Sequence, residues 1–247
     1  MNQIFNLANN LSFIRILLAF IATAFIMSHN ILLLMIAIIL IAYSELTDML
    51  DGYIARRDNI ITDVGKLLDP LSDSISRFLY FFAFGYVGLF PIWLVLALFL
   101  RDIVVAYIRT YVSFSGIAMG ARYSGKLKAV IQFIGQYLIL FSYVIILRQQ
   151  GQQLSNSTLF SLIIIGTIST FLILWYLKAK GNYLKYSILG YTAFLLPYYL
   201  SNKLNLQNID LHIFDFVVMI TVAIFTLYSM FDYILGFIES FRKNNEK

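Results

Sequence analysis

Apolar runs of about 20 residues, the length that crosses a bilayer as a helix, follow one another along this chain with short polar breaks between them. A short interfacial segment is predicted at Phe5 to Asn10, then a first span from Leu11 to Met27 with Arg15 near its start. His29-Asn30 predicts a tight hairpin into a second span, Ile31 to Arg57, that grows progressively polar. Asp58 to Val64 forms a polar connection, and a third span runs from Gly65 to Phe90, where Pro91 marks the turn. The fourth, Ile92 to Gly116, carries Arg101, Asp102 and Arg109 inside it, and the fifth covers Gly125 to Leu147. Past the polar loop Gln149 to Ser157 come Thr158 to Leu177, a short seventh segment at Tyr186 to Leu200, and an eighth at Leu211 to Phe237. No internal repeat, low-complexity segment or soluble domain interrupts this pattern. The N-terminus lacks the basic region and small-residue cleavage site of a signal peptide, so it is expected to be retained.

Composition agrees with the pattern. Of the 247 residues, 60% are hydrophobic and 13% charged, against about a quarter charged in a soluble domain. The expected class is an all-α integral membrane protein. The absence of cysteine excludes a disulfide framework, a thiolate metal site and a cysteine nucleophile together. His29 and His212, far apart and both near segment ends, argue against a histidine metal site.

Charge then orients the spans. On an alternating eight-span path with both ends cytoplasmic, Arg56, Arg57, Lys66, Arg122, Lys126, Lys128, Lys178, Lys180, Lys185, Arg242, Lys243 and Lys247 fall on one side, and only Arg148 and Lys203 on the other. Twelve against two is the asymmetry of the positive-inside rule. Anionic lipid headgroups explain the net charge of +5 better than nucleic acid does, because the basic residues are scattered between apolar runs.

The acidic residues are clustered. Seven of thirteen lie between Glu45 and Asp73, within Asp48-x2-Asp51-Gly52-x2-Ala55-Arg56-x8-Gly65-x3-Asp69-x3-Asp73. As helices, Asp48 and Asp51 share one face at i, i+3, and Asp69 and Asp73 share another at i, i+4. The short connection makes the two helices antiparallel neighbours, so four carboxylates converge at one end of the pair. Such a group repels itself and is costly to desolvate, which calls for a compensating cation. All-oxygen ligation favours Mg²⁺ or Mn²⁺, and a pair of ions suits a diphosphate substrate. Gly52 and Ala55 leave space near the helix backbone, and Arg56 is placed to meet phosphate.

This string resembles the signature of the CDP-alcohol phosphotransferase family at every defined position, from Asp48 to Asp73. The resemblance implies a six-helix core, a divalent-metal site made by Asp48, Asp51, Asp69 and Asp73, and CDP bound over Gly52, Ala55, Arg56 and Gly65. It also implies that Asp73 is the general base that takes the acceptor hydroxyl's proton. On this basis residues 1–180 are expected to form the catalytic domain, and 181–247 an extension with two further spans, whose open roles are to pack at a dimer interface, shield the lipid groove or enlarge the bundle. A homodimer in a bacterial inner membrane, with its active site facing the cytoplasm, is the expected setting.

The acceptor is read from basic residues. Arg109, Arg122, Lys126 and Lys128 are expected to ring the cytoplasmic mouth and bind an acceptor that itself carries phosphate. The plainer alternatives are membrane anchoring for the lysines and snorkelling for Arg109, while Arg101 beside Asp102 suits an internal ion pair as well as a ligand role. Arg101-Asp102, Arg109 and Gly125-Lys126-Leu127-Lys128, with Gln132 beyond and Asn10-Leu11-Ser12-Phe13-Ile14-Arg15 at the start, resemble bacterial phosphatidylglycerophosphate synthases. That resemblance implies CDP-diacylglycerol as donor and glycerol 3-phosphate as acceptor. The chain departs from that branch in Ser74, where lysine is common, and in its added C-terminal length. A phosphatidylinositol-phosphate synthase is the nearest rival within the family. An intramembrane prenyltransferase and a divalent-cation transporter are the rivals outside it.

Overall fold

The structure is a computed structural model that describes residues 7–57, 63–115, 122–155 and 210–245, with isolated positions between 157 and 164. Among the described residues there are six α-helices and no strand: α1 (Leu7–Met27), α2 (Ile31–Arg57), α3 (Asp63–Tyr86), α4 (Val95–Phe114), α5 (Tyr123–Gln149) and α6 (Leu211–Asn245). The all-α class stands. Three helices are long and apolar enough to cross a membrane: Asn9–Met27, Tyr123–Gln149 and Leu211–Arg242. The apolar part of α2, Ile31–Glu45, is shorter because its C-terminal half carries the acidic residues. The spans expected at Thr158 to Leu177 and Tyr186 to Leu200 lie outside the described residues.

Most predicted boundaries fall within a few residues of the observed ones, and two differ instructively. Helix α1 starts at Leu7, so Leu7 to Asn10 belong to it and are no separate interfacial segment. Asn9 looks like a polar flank in the sequence, yet it is buried at 1% exposure. Helix α6 runs to Asn245, eight residues past the end of its apolar stretch at Phe237, because nothing in Ile238 to Asn245 caps or breaks it.

The chain divides into two compact units. The first comprises Met1–Ala83 and Leu140–Ile209, the second Phe84–Ile139 and Asp210–Lys247. In the first unit α1 packs against α2. Leu11, Ala19, Ala22 and Ile26 recur at helical spacing on the buried face of α1, and Leu34, Met35, Ile38 and Ile41 are buried on α2. The two alanines let helices approach closely where no hydrophobic driving force against lipid exists. The hairpin between them is the one the sequence predicts. His29 takes a positive φ of 53°, and the Asn30 side chain caps α2 by accepting from the N–H groups of Leu32 and Leu33 at 2.9 and 3.2 Å. Gln152, just beyond α5, clasps this turn from both sides. Its amide donates to the His29 carbonyl at 2.8 Å and accepts from the Ile31 N–H at 2.7 Å. The α1–α2 turn and the end of α5 therefore share one side, as an alternating path requires.

In the second unit α4 packs against α6, with Leu98 and Val105 buried on α4 and Met219, Val222 and Ala223 on α6. Gly88 ends α3 in the left-handed conformation (φ 85°), where its N–H and that of Leu89 close back on Gly85 and Phe84. A three-residue 3-10 turn, Ile92–Leu94, then leads into α4.

Candidate functional sites

The buried face of α1 becomes polar at its N-terminal end, where Asn9, Ser12 and Arg15 are all nearly inaccessible. That end meets the acidic stretch of α3. The Ser12 hydroxyl donates to Oδ1 of Asp69 at 2.9 Å, and Arg15 Nη1 donates to the Ser72 hydroxyl at 2.9 Å. Ser72 in turn donates to the Asp69 carbonyl at 2.9 Å. Pro70 follows Asp69 inside the helix and has no N–H to return to the carbonyl four residues back. The Ser12, Arg15 and Ser72 contacts therefore brace α3 at a point where its own ladder is interrupted. One turn on, Arg77 Nε donates to Oδ1 of Asp73 at 2.8 Å, with the Asp73 side chain 41% exposed and that of Arg77 12%.

Asp69 and Asp73 thus stand one turn apart on α3, each with one oxygen engaged. Asp48, Asp51, Gly52, Ala55 and Arg56 lie on the C-terminal half of α2, and their side chains are outside the described residues, while Gly65 is a buried position of α3. Among the described residues no group of three or more histidine, cysteine or acidic side chains could hold a metal ion. The donor chemistry is nonetheless that of a hard cation. The two described carboxylates offer oxygen alone, and the chain has no cysteine to divert a softer metal.

The second unit carries a basic network. Asp102 on α4 accepts from its neighbour Arg101 at 2.9 Å and from Lys128 of α5 at 2.8 Å. Lys128 and Arg101 are both buried. Asp232 of α6 receives two parallel bonds from Arg122, Nε at 2.8 Å and Nη2 at 2.7 Å, and a third from the Ser124 hydroxyl. The paired carboxylate holds the Arg122 guanidinium above its already high pKa, so it stays charged at any working pH. Arg109 Nη2 donates to the Tyr233 hydroxyl at 2.7 Å, and its guanidinium lies 5.2 Å from the centre of that ring. Lys126 is exposed in the first turn of α5. Of the four basic residues assigned to acceptor phosphate, two are engaged with carboxylates, one with a tyrosine, and Lys126 faces outward.

A family model for CDP-alcohol phosphatidyltransferases matches residues 5–175, well over half of the chain and the whole stretch from Asp48 to Asp73. The chain belongs to this family. As a CDP-alcohol phosphatidyltransferase family member it is similar to proteins named CDP-diacylglycerol--glycerol-3-phosphate 3-phosphatidyltransferase in several bacteria. One, from Bacillus subtilis, is 32% identical over 102 residues, covering 41% of this chain and 53% of the relative. One from Mycoplasma genitalium is 32% identical over 116 residues, covering 47% and 48%. One from Rickettsia typhi is 26% identical over 138 residues, covering 55% and 76%. The chain spans about half the length of the first two. No solved structure matches it.

Sequence reasoning assigned no role to Ser12, Ser72, Arg77, Asp232 or Tyr233. Arg77 had a readable signal, since it stands at i+4 from Asp73. Asp232 had none that points to Arg122, because 110 residues separate them.

Proposed function

We propose that the chain transfers a phosphatidyl group from CDP-diacylglycerol to glycerol 3-phosphate, releasing CMP and forming phosphatidylglycerophosphate. One observation carries the proposal: the complete Asp48-to-Asp73 string lies inside the family match, and its described half presents two carboxylates one turn apart on a braced helix. The names of the similar bacterial proteins favour glycerol 3-phosphate over other acceptors.

In this reading Asp48, Asp51, Asp69 and Asp73 hold Mg²⁺ or Mn²⁺, two ions in all. The metal supplies charge neutralisation of the diphosphate and stabilisation of its leaving group. Gly52, Ala55, Arg56 and Gly65 form the floor for CDP. Ser12 orients the Asp69 carboxylate, as outer-shell donors orient metal ligands, and Arg77 holds one oxygen of Asp73. Asp73 takes the proton of the acceptor hydroxyl, whose oxygen bonds to the lipid-side phosphorus as the bond from that phosphorus to the CMP oxygen breaks. Arg109, Arg122, Lys126 and Lys128 bind the acceptor phosphate. Residues 1–180 form the catalytic domain and 181–247 extend it. The protein works as a multi-pass homodimer in the bacterial inner membrane; the twelve-to-two charge split supports an active site toward the cytoplasm.

The test is CMP release by the detergent-purified protein with Mg²⁺ and CDP-diacylglycerol, offered glycerol 3-phosphate, inositol 1-phosphate, inositol or serine singly. Turnover with glycerol 3-phosphate alone is expected. Turnover with another alcohol alone overturns the acceptor and keeps the reaction class. No turnover, with no metal-dependent binding of the CDP-lipid, overturns the class.

A further inference from the structure

Helix α6 is apolar in composition yet carries a buried polar stripe. Asp215, Thr226, Ser229 and Tyr233 are exposed by 2% or less, and all lie on one helical face. The stripe runs along α4 and α5. Thr226 accepts from Gln132 at 3.2 Å, Ser229 from Arg101 Nη2 at 3.0 Å, and Tyr233 from Arg109 at 2.7 Å. Asp232, beside the stripe, takes the fork of Arg122. One turn further on stands Gly236, passing so close beneath this guanidinium that a Cβ there would overlap Arg122 Nη1. All of these α6 residues lie beyond residue 175, the limit of the family match.

Neutral hydrogen bonds are enough to join helices. The C-terminal half of this stripe instead engages three arginines, and among the described residues there the charge does not cancel. Arg101, Arg109, Arg122 and Lys128 face two carboxylates, Asp102 and Asp232. Among the described residues, adding Lys126 and Glu239, whose field also reaches Arg122, leaves the surplus at two positive charges. A phosphate monoester brings about −1.5 to −2. Donors are also left over. The side-on pair with Asp232 uses Nε and one Nη2 proton of Arg122, so three of its five N–H groups are not spent on it. Arg101 Nε is buried without a hydrogen-bond partner among the described residues.

We propose that Asp232, Tyr233 and Gly236 are positioning residues that fix Arg122 and Arg109 as an acceptor-phosphate clamp, which makes α6 part of substrate recognition. The proposal rests on the phosphatidyltransferase reading above. Asp232 locks the plane of the Arg122 fork, Gly236 gives that fork room, and the Tyr233 ring and hydroxyl hold Arg109 without neutralising it. The surplus charge then meets the phosphate with its donors already oriented, as preorganised recognition requires.

The experiment is steady-state kinetics on the full-length protein and on Asp232→Asn, Asp232→Glu, Gly236→Ala and Tyr233→Phe. In Asp232→Asn and Gly236→Ala the KM for glycerol 3-phosphate is expected to rise about tenfold, the scale of one charge-assisted contact. The rise in Tyr233→Phe should be smaller, about threefold, as for a hydrogen bond that leaves the ring in place. The KM for CDP-diacylglycerol and kcat should stay within about twofold, since uniform acceptor binding alone is lost. Asp232→Glu should return the acceptor KM toward the parent value. An unchanged acceptor KM in both Asp232→Asn and Gly236→Ala overturns the proposal. So does a fall, which would make Asp232 a competitor of the phosphate, or a parallel change in kcat and both KM values, which would make α6 structural. If Asp232→Asn fails to accumulate, Gly236→Ala and Tyr233→Phe read the same quantity. A parent protein that turns over only unphosphorylated acceptors sinks the clamp and spares the reaction class. One that shows no turnover sinks the functional reading itself, a result visible before any variant is made.

Discussion

In the α1–α3 region the chemically pointed groups are carboxylates, and their partners are small or local: a serine hydroxyl on Asp69 and an arginine one turn from Asp73. In the α4–α6 region they are cations, and their partners are carboxylates and a tyrosine, some more than a hundred residues away in the chain. The first arrangement leaves negative charge in place for a cation to meet. The second encloses most of its charge in fixed pairs and keeps a small positive excess. Like-charge crowding costs folding free energy and suits binding, whereas a paired network is strongly destabilised when one partner goes. Substitutions in the first region should therefore act mainly on kcat and metal use, and those that break a pair in the second should also cost stability.

The largest effect is expected from metal removal. Exhaustive chelation should reduce CMP release to background, and Mg²⁺ or Mn²⁺ should restore it; activity that survives chelation would break the reading of the acidic helices. Next comes Asp73→Asn, expected to lower kcat about a thousandfold, within the range for loss of a general base. Its thermal midpoint without metal should change little, because relief within a repelling set offsets the weakened pair with Arg77. Lys128→Met works the other way. It leaves Asp102 with one buried partner fewer and should cost about 3 kcal/mol of stability, the scale for breaking a buried pair. A thermal melt in detergent reads this, and an unshifted midpoint would show that the second region is not held by its pairs. The smallest effect is that of Ser12→Ala, which should raise the Mg²⁺ concentration for half-maximal activity about tenfold with little change in kcat at saturating metal.

How much of this was legible follows from the range of each interaction. The hairpin at His29-Asn30 was readable because capping is local, and the helical facing of Asp69 and Asp73 because i, i+4 spacing is. The start of α1 was misplaced for a physical reason. Asparagines are read as solvated ends, but Asn9 lies on the same buried face as Ser12 and Arg15 and so continues the helix inward. The end of α6 was set too early because hydropathy marks where a membrane stops and says nothing about where a helix does. Arg101 beside Asp102 was open between ion pair and ligand, and the structure pairs them. The carboxylate partners of Arg122 and Lys128 were not legible, because they come from elsewhere in the chain. A wheel drawn on α6 would have displayed its polar face, but no wheel names the helix that face meets.

The polar stripe of α6 also bears on how the chain is built. A helix that enters a bilayer alone must offer its buried groups to lipid, and Asp215, Thr226, Ser229 and Tyr233 are poor guests there. The partners of Thr226, Ser229 and Tyr233 on α4 and α5 precede them in synthesis. Helix α6 thus reaches the membrane as a latecomer whose docking surface is already waiting, and its insertion and its packing become one event.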